Sequence, residues 1–255
     1  HQLSDSMALE ITDTIILKSF PYGETSKIAR CYTRDFGKVS LIGKGVRKGK
    51  TLRSGYLEPL NHLSLSFYKN PRRELQIFSK AEFKNVLSAL KGDVKKITYG
   101  FAIVELVDKG VTGEEPHEEL FDLLVDTLNA INSATGNINV IFWYFEMKFL
   151  SLLGFRPNLS TCPDCEGILD GAVFSHERGE LVCSNCLING ERKVSSRTIT
   201  FLKTLKHGSV IDAINLKLKP GDRSEIGGFL DRYLRHHIDT IRNIKSLKIM
   251  ERVLA

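Results

Sequence analysis

The sequence predicts a mixed α+β protein of several domains, because three regions differ in their periodicity and composition. Residues 9 to 82 form short runs of alternating apolar and polar residues separated by turn residues, which is typical of β-strands. From about Asp93 the apolar residues recur at the spacing of a helix. A later stretch contains four cysteines in two close pairs. We therefore expect a β-barrel, a helical domain and an inserted cysteine module.

Five strands are predicted in the first region, and turn residues such as Pro21 and Gly23, or Asp35 and Gly37, separate them. Five short strands in about 75 residues suit a small closed barrel, for which an OB-fold is the commonest architecture. An SH3-like barrel would give a similar pattern. The predicted strands cover residues 9–19, 26–34, 38–44, 57–69 and 74–81.

Four helices are predicted from periodicity and capping residues. Asp93 is placed to cap the first helix, and the second follows Pro116 with acidic residues in its first turn. The third ends near Gly154, and the last begins at Asp222 with Glu225 completing a capping box. The predicted apolar faces are Val94, Ile97, Phe101 and Val104; Leu120, Leu123, Leu124, Leu128 and Ile131; Ile138, Ile141, Phe142, Phe145, Phe149 and Leu152; and Ile226, Phe229, Leu230, Tyr233 and Ile241.

The four cysteines predict a metal site. Cys162 and Cys165 form one Cys-x2-Cys pair, and Cys183 and Cys186 form a second, with 17 residues between the pairs. Four thiolates in this spacing suit one tetrahedral, structural Zn²⁺ with no open position for a catalytic water. Disulfides are the alternative, and a reducing cytosol disfavours them. The segment between the pairs predicts a hairpin turning at residues 176 to 179. Cys31 is predicted to be a small buried hydrophobe.

Charge is unevenly distributed along the chain. The formal net charge is +6. Residues 7 to 85 hold 15 Lys and Arg against 7 Asp and Glu, whereas residues 86 to 161 hold 6 against 10. Residues 162 to 194 are also acidic, and residues 195 to 255 are again basic. The basic first region indicates a polyanionic partner, although a charged block can also be only a solvated face.

The segment GKGVRKGKTLRSG, residues 43 to 55, concentrates this charge: it has five cations among four glycines and no acidic residue. Gly49, Lys50 and Thr51 match the end of a phosphate-binding P-loop. That motif needs a glycine five positions before Gly49, where Lys44 stands, and it must open directly into a helix. Spacing and context therefore disfavour a nucleotide site. No other catalytic motif is present, and we expect a protein that is not an enzyme.

Domain limits follow from these patterns. We expect residues 1–6 to be the remainder of an expression tag, since they precede Met7. Residues 7–82 form the predicted OB-fold, 83–158 and 195–255 the two parts of the helical domain, and 159–194 the zinc-finger module. No apolar run approaches the length of a membrane helix and no secretory signal follows Met7, so we expect a cytoplasmic, nucleoid-associated protein without a membrane partner.

The order of these parts resembles the bacterial RecO family of recombination mediators. The resemblance rests on YGETSKIARCYTRDFGKVSLIGKGVRKGKTLRSGYLEP and on GFRPNLSTCPDCEGILDGAVFSHERGELVCSNC, and it covers residues 7 to 255. It implies an OB-fold, a helical domain and a zinc-finger module. It also implies binding of single- and double-stranded DNA, annealing of complementary strands, and loading of RecA, together with RecR, onto strands covered by single-strand-binding protein (SSB), as part of the RecFOR pathway.

The resemblance also implies site residues. The zinc ligands fall on the four cysteines, and the acidic, hydrophobic tail of SSB is expected in a groove of the helical domain, at basic residues of the C-terminal segment. The sequence itself offers few barrel aromatics for stacking on bases, with Tyr32, Phe36 and Tyr68 as the candidates, so phosphate contact through the cations is the favoured mechanism. The implied DNA-binding residues are Arg34, Lys38, Lys44, Arg47, Lys48, Lys50, Arg53, Arg72 and Arg73, and the implied SSB-tail residues are Arg232, Arg235, Arg242 and Lys245.

Two other functions are compatible with the sequence. A zinc-ribbon scaffold could bridge proteins without binding DNA, its basic loop meeting an acidic protein surface. A P-loop-like NTPase could use the near-match at Gly49, although the misplaced glycines argue against it. The resemblance favours the DNA-binding interpretation over both.

Overall fold

A computed structural model describes residues 7–48, 53–187, 192–242, 244 and 246. These residues divide into two compact units. The first extends to Ser133 and includes Ile244 and Ser246, and the second begins at Ala134. Residues 1–6, the predicted tag remnant, lie outside the described residues. The domain limits predicted from sequence are a finer division, and they stay a prediction.

The first unit contains a closed five-stranded barrel, with strands in the order β1-β2-β3-β5-β4. Neighbouring strands are antiparallel, except that β3 and β5 run parallel. This arrangement confirms the predicted α+β class and the OB-like barrel. The strands are β1 (Ala8–Tyr22), β2 (Ser26–Thr33), β3 (Gly37–Gly43), β4 (His62–Lys69) and β5 (Leu75–Asn85).

The long strand β1 closes the barrel. Its first half pairs with β4 as far as Ile15 and its second half with β2 from Thr14 onward, and a register shift interrupts the β1–β2 ladder between Ile16 and Lys18. Cys31 is fully buried in the core, as predicted, and this burial raises the pKa of its thiol. The core consists of Ile16, Ala29, Cys31, Leu41, Val46, Leu57, Leu63, Leu65, Phe67, Phe78 and Ala81.

The prediction for the start of β4 was wrong. The strand begins at His62, and a four-residue helix, α1 (Arg53–Tyr56), precedes it. Leu57 and Leu60 are fully buried although they lie in turns, and Leu60 has a positive φ of 69°. Their apolar character therefore reflects burial in a loop, which an alternating pattern cannot distinguish from a strand.

Three helices complete the first unit: α2 (Ser88–Gly92), which was not predicted, α3 (Val94–Gly110) and α4 (Glu118–Ser133). The Asp93 side chain accepts a hydrogen bond from the Lys96 amide at 2.8 Å, which confirms the predicted cap. The predicted face of α3 was wrong in part, because Val94 is 72% exposed and Phe101 is 40% exposed. The helix buries a face centred on Ile103 and Leu106, as well as the predicted Val104.

The second unit is built around α5 (Ile138–Leu152), which is buried over most of its length and ends before Gly154 at a positive φ of 87°. Among the described residues no helix is long and apolar enough to cross a bilayer. The remaining elements are the strands β6 (Ala172–Ser175), β7 (Glu180–Val182) and β8 (Lys193–Val194) and the helices α6 (Ser196–His207), α7 (Val210–Ile214) and α8 (Asp222–His237), followed by a 3-10 turn, Asp239–Ile241.

The capping box predicted at the start of α8 was wrong. The N-cap is Gly221, and the Glu225 carboxylate instead accepts hydrogen bonds from the Ser195 amide at 2.6 Å and from the Thr198 hydroxyl at 2.6 Å. Glu225 thus stabilises the start of α6, a helix that was not predicted. The Asp222 carboxylate accepts hydrogen bonds from Arg197 and from the Lys219 amide.

Candidate metal centre and nucleic-acid interface

The first cysteine pair forms a tight turn. The Glu166 amide donates to the Cys162 carbonyl at 2.9 Å, and the Cys162 amide donates to the Gly167 carbonyl at 2.8 Å. Glu166 has a positive φ of 59°, which lets the chain reverse directly after Cys165. Both sulfurs of the pair therefore lie on the same side of the turn.

The second pair is brought to the first by the hairpin of β6 and β7, whose turn at residues 176 to 179 was predicted. The Cys183 amide donates to the Cys162 sulfur at 3.4 Å, and the Cys186 amide donates to the Cys183 carbonyl at 3.1 Å. The four sulfur atoms, those of Cys162, Cys165, Cys183 and Cys186, all lie within 4.8 Å of one another.

This donor set fits a single tetrahedral ion. Four sulfurs at 2.3 Å from a central Zn²⁺ would be separated by roughly 3.8 Å, and the Cys165 and Cys183 sulfurs are 3.7 Å apart. The cysteines are free thiols, which argues against the disulfide alternative. Burial raises the pKa of Cys162, but amide hydrogen bonds, chiefly from Cys183, outweigh it and lower the pKa to about 6. Such a thiolate is the form that binds metals.

The cysteine module packs on α8 through an aromatic cluster. Phe174 of β6 lies edge-on to Phe229, with ring centroids 6.0 Å apart. The His237 Nε2 donates to the Gly179 carbonyl at 2.8 Å, and the His236 ring occupies the space beside the Gly179 Cα. The adjacent histidines therefore hold the hairpin.

The basic loop is attached to the barrel by one apolar side chain. Val46 is fully buried in the barrel core, whereas Lys44, Arg47 and Lys48 are exposed. The Arg47 amide donates to the Thr25 carbonyl at 2.9 Å, and its guanidinium donates to another carbonyl of the β1–β2 turn at 3.2 Å. Lys50 and the rest of the P-loop-like segment, residues 49–52, lie outside the described residues.

Three further predicted cations are exposed at other points of the barrel. The Arg53 guanidinium donates to the Ser79 carbonyl at 3.2 Å and lies over the ring of Phe78. Arg72 and Arg73 lie in the β4–β5 loop, which is shaped by hydrogen bonds between Asn70 and Gln76. Arg72 and Arg73 therefore lie at the end of a different hairpin from the basic loop, whereas Arg53 lies in the same β3–β4 connection as that loop.

Arg34 and Lys38, by contrast, contact the acidic helices of the same unit. The Arg34 guanidinium pairs with Glu118 at 3.0 Å and with Asp122 at 2.5 Å, and these carboxylates raise its pKa. The Lys38 ammonium donates to the carbonyls of Asp108 and Val111 at 2.7 and 2.8 Å. Its pKa is lowered, mainly by burial. Their predicted role in DNA binding stays a prediction, and these contacts compete with it.

The three predicted stacking residues have different environments. Tyr32 is fully buried. Phe36 packs edge-on against Phe67, with centroids 5.6 Å apart, and Lys69 covers its ring at 4.3 Å. Tyr68 is partly exposed. Of the three, only Tyr68 therefore presents an uncovered aromatic surface.

The predicted SSB-tail residues are engaged in contacts of the second unit. Arg232 lies over the ring of Phe174, Arg235 pairs with Asp231 at 2.7 Å, and Arg242 pairs with Asp239 at 2.7 Å. Lys245 lies outside the described residues. These pairs leave less positive charge for a partner than the sequence suggested.

Comparisons with known proteins agree with this architecture. The family model "Recombination protein O N terminal" matches residues 7–87, and "Recombination protein O C terminal" matches residues 91–248. The chain is 30% identical over 249 residues to DNA repair protein RecO of Pelotomaculum thermopropionicum, covering 96% of this chain and 95% of the relative.

Two further relatives give the same result. The chain is 29% identical to DNA repair protein RecO of Desulforamulus reducens, covering 94% of this chain and 93% of the relative. It is 27% identical to DNA repair protein RecO of Bacillus pumilus, covering 95% and 93%. The chain therefore belongs to the RecO family of DNA repair proteins.

Proposed function

We propose that this protein binds single- and double-stranded DNA through the basic loop, anneals complementary strands, and acts with RecR to load RecA onto strands covered by SSB. One observation carries the DNA-binding part: Lys44, Arg47 and Lys48 are turned to solvent on a loop that Val46 fixes to the barrel. Cations on a fixed loop contact phosphates without reading bases, so binding is nearly independent of sequence.

Annealing follows from the same electrostatics. Two strands repel each other through their phosphates, and a shared cationic surface reduces that repulsion while the bases search for partners. The five cations of residues 43–55 predict slopes of log affinity against log salt of about −3.5 for single strands and about −4.5 for duplex. A slope near zero contradicts the mechanism.

The experiment reverses the charges of the loop. We expect the triple variant Lys44→Glu, Arg47→Glu and Lys48→Glu to lose annealing, and to keep its metal content and its far-UV spectrum. A matched control reverses three exposed cations elsewhere, Lys95, Arg156 and Arg223, with the same change in net charge. Equal losses in both variants would show that only total charge matters, and unchanged annealing in the first would place DNA elsewhere.

We also propose that the four cysteines hold one structural Zn²⁺. An ion bound by four thiolates has no open position, so it supplies folding stability and no chemistry. The short strands around it have little core of their own, which makes the ion a large part of their stability. Metal analysis of the purified protein should give about one zinc per chain, and Cys165→Ser should release it. A stoichiometry near zero in protein purified without chelators would refute the proposal.

We propose that the SSB tail binds in a groove beside α6 and not at the residues predicted from sequence. The groove has a volume of about 760 Å³ and combines the apolar Phe201 and Leu216 with the cations Lys217 and Lys219, whereas Arg197, which also lines it, is paired with Asp222. An acidic, hydrophobic tail needs both kinds of contact. A labelled tail peptide should lose affinity on Lys219→Glu and keep it on Arg242→Glu. The opposite result would favour the residues predicted from sequence.

A further inference from the structure

Two aromatic side chains point outward from the end of β1. Phe20 is 40% exposed and Tyr22 is 55% exposed. They occupy alternate positions, so they share one face of the strand, about 6.7 Å apart along it. Their partners across the β1–β2 ladder are Ile28 and Ser26, whereas Ser19, the residue before Phe20, pairs with Ala29, a core residue. The barrel core therefore lies on the opposite side of the strand from the two rings.

These rings adjoin the basic loop. Tyr22 precedes Gly23, whose carbonyl accepts a hydrogen bond from the Arg47 guanidinium. The Arg47 amide donates to the carbonyl of Thr25, two residues after Gly23. Lys18 is exposed on the same face of β1, at the next alternate position before Phe20. A single carboxylate, that of Glu24, lies in the β1–β2 turn. The aromatic pair thus lies between cations on both sides.

We propose that Phe20 and Tyr22 form a platform on which unpaired bases of a single strand stack, while Lys18 and the basic loop bind its phosphates. This inference rests on the proposed DNA binding and adds a preference for strand type. Every base has a π-face, so stacking on an aromatic ring is independent of sequence. Bases in a duplex are already stacked on each other, and the platform therefore favours single strands.

An apolar surface on a barrel could also bind a protein. The row containing Phe20 continues across the ladder to Ile28 and then to Ile42, both partly buried. The charge around the aromatic pair favours a polyanion, and the fixed position of Arg47 beside Tyr22 makes the platform continuous with the proposed phosphate contacts. Single-stranded DNA satisfies both features with one ligand, and a protein partner remains an outcome that the test distinguishes.

The test compares substitutions at Tyr22 in the full-length protein, using a mixed-sequence oligonucleotide and its duplex as probes. We expect Tyr22→Ala to weaken single-strand binding about 10-fold, the scale of one base–aromatic stack, and to change duplex binding less than about 2-fold. Tyr22→Phe keeps the ring and should bind normally. Tyr22→Leu keeps apolar area without a ring and should behave like the alanine variant.

Salt dependence separates stacking from charge. Tyr22→Ala should lower single-strand affinity at every salt concentration without changing the slope, because no phosphate contact is removed. A strand carrying 2-aminopurine should show fluorescence quenching on binding that is lost in Tyr22→Ala. The matched control is Phe101→Ala, which removes an exposed ring of α3 that is not on a barrel strand.

The outcomes are distinct. Equal losses for single strands and duplex, or normal binding by Tyr22→Leu, would overturn the stacking platform while leaving DNA binding by the loop intact. If Tyr22→Ala keeps its single-strand affinity but loses a protein contact, this face binds a protein. That result would also overturn the stacking platform. Failure of the unmodified protein to bind either probe would instead refute the proposed function itself.

Discussion

Replacing Gly43 with alanine tests how the basic loop is held against the barrel. An alanine Cβ at this position would lie 2.8 Å from the Leu57 Cδ1 and 2.8 Å from the Val46 Cγ1. Carbon atoms pack at about 3.5 to 4.0 Å, so both neighbours would have to move. Both are fully buried in the barrel core, and neither can rotate into solvent.

The expected cost is that of overpacking a core, about 2 kcal/mol in the free energy of unfolding. For a unit of this size that loss lowers the melting temperature by about 6 °C. Relief of the clash pushes Val46 outward and shifts the backbone between Lys44 and Arg47. DNA affinity should therefore fall although no charge has changed.

Circular dichroism during urea unfolding measures the loss of stability, and an annealing assay measures the effect on the proposed activity. Gly55→Ala is the matched control, since its Cβ meets nothing within 4 Å and it lies in the short helix α1. Alanine there should leave stability unchanged or raise it slightly. The reasoning fails if Gly43→Ala is as stable as the unmodified protein, or if Gly55→Ala loses as much.

Three further changes test the second unit. Removing the metal with a chelator should lower the melting temperature, and Cys165→Ser should show the same lowered value without chelator. Gly179→Ala places a Cβ 2.1 Å from the His236 ring and should detach the hairpin, seen as faster amide exchange in β6 and β7. Burial and the nearby Asp231 charge raise the pKa of Glu146 in the folded protein well above its usual value. Its contribution to stability is therefore present below the pKa of the unfolded chain and is lost as pH rises towards the pKa of the folded protein. Glu146→Gln should therefore flatten the decline in unfolding temperature above pH 5, and an unchanged decline would contradict this.

The features that sequence predicted correctly are local ones. Spacing alone identified the cysteine pairs, since both sulfurs of a pair are positioned by four consecutive residues. Alternation identified the barrel strands, and Asp93 identified the start of α3. The errors occurred where burial was not periodic. Leu57 and Leu60 are buried in turns, so their hydrophobicity did not indicate a strand. Val94 lies in a helix and is exposed, so its hydrophobicity did not indicate the buried face of that helix.

The cations could not be sorted from sequence because their partners are distant in the chain. Arg34 pairs with carboxylates 84 and 88 positions away, and Lys38 donates to carbonyls 70 and 73 positions away. Lys44 follows a glycine just as Lys38 does, yet it is exposed. The outward rings were missed because the predicted strand ended at residue 19 and Pro21 was assigned to a turn, whereas β1 continues to Tyr22.

The contacts of the barrel with α3 and α4 have a long-range electrical consequence. Arg30, Arg34 and Lys38 are each bound to a carboxylate or carbonyl of these helices, with the Arg30 guanidinium 2.5 Å from Asp108. Their charge is thus compensated on one side of the first unit, and that of the basic loop is not. An approaching polyanion is therefore attracted to the basic loop more strongly than to the compensated cations, and this attraction turns the loop towards it before contact. Counterions limit this effect to about 8 Å at physiological ionic strength, so the orientation of encounters should vanish first as salt is added.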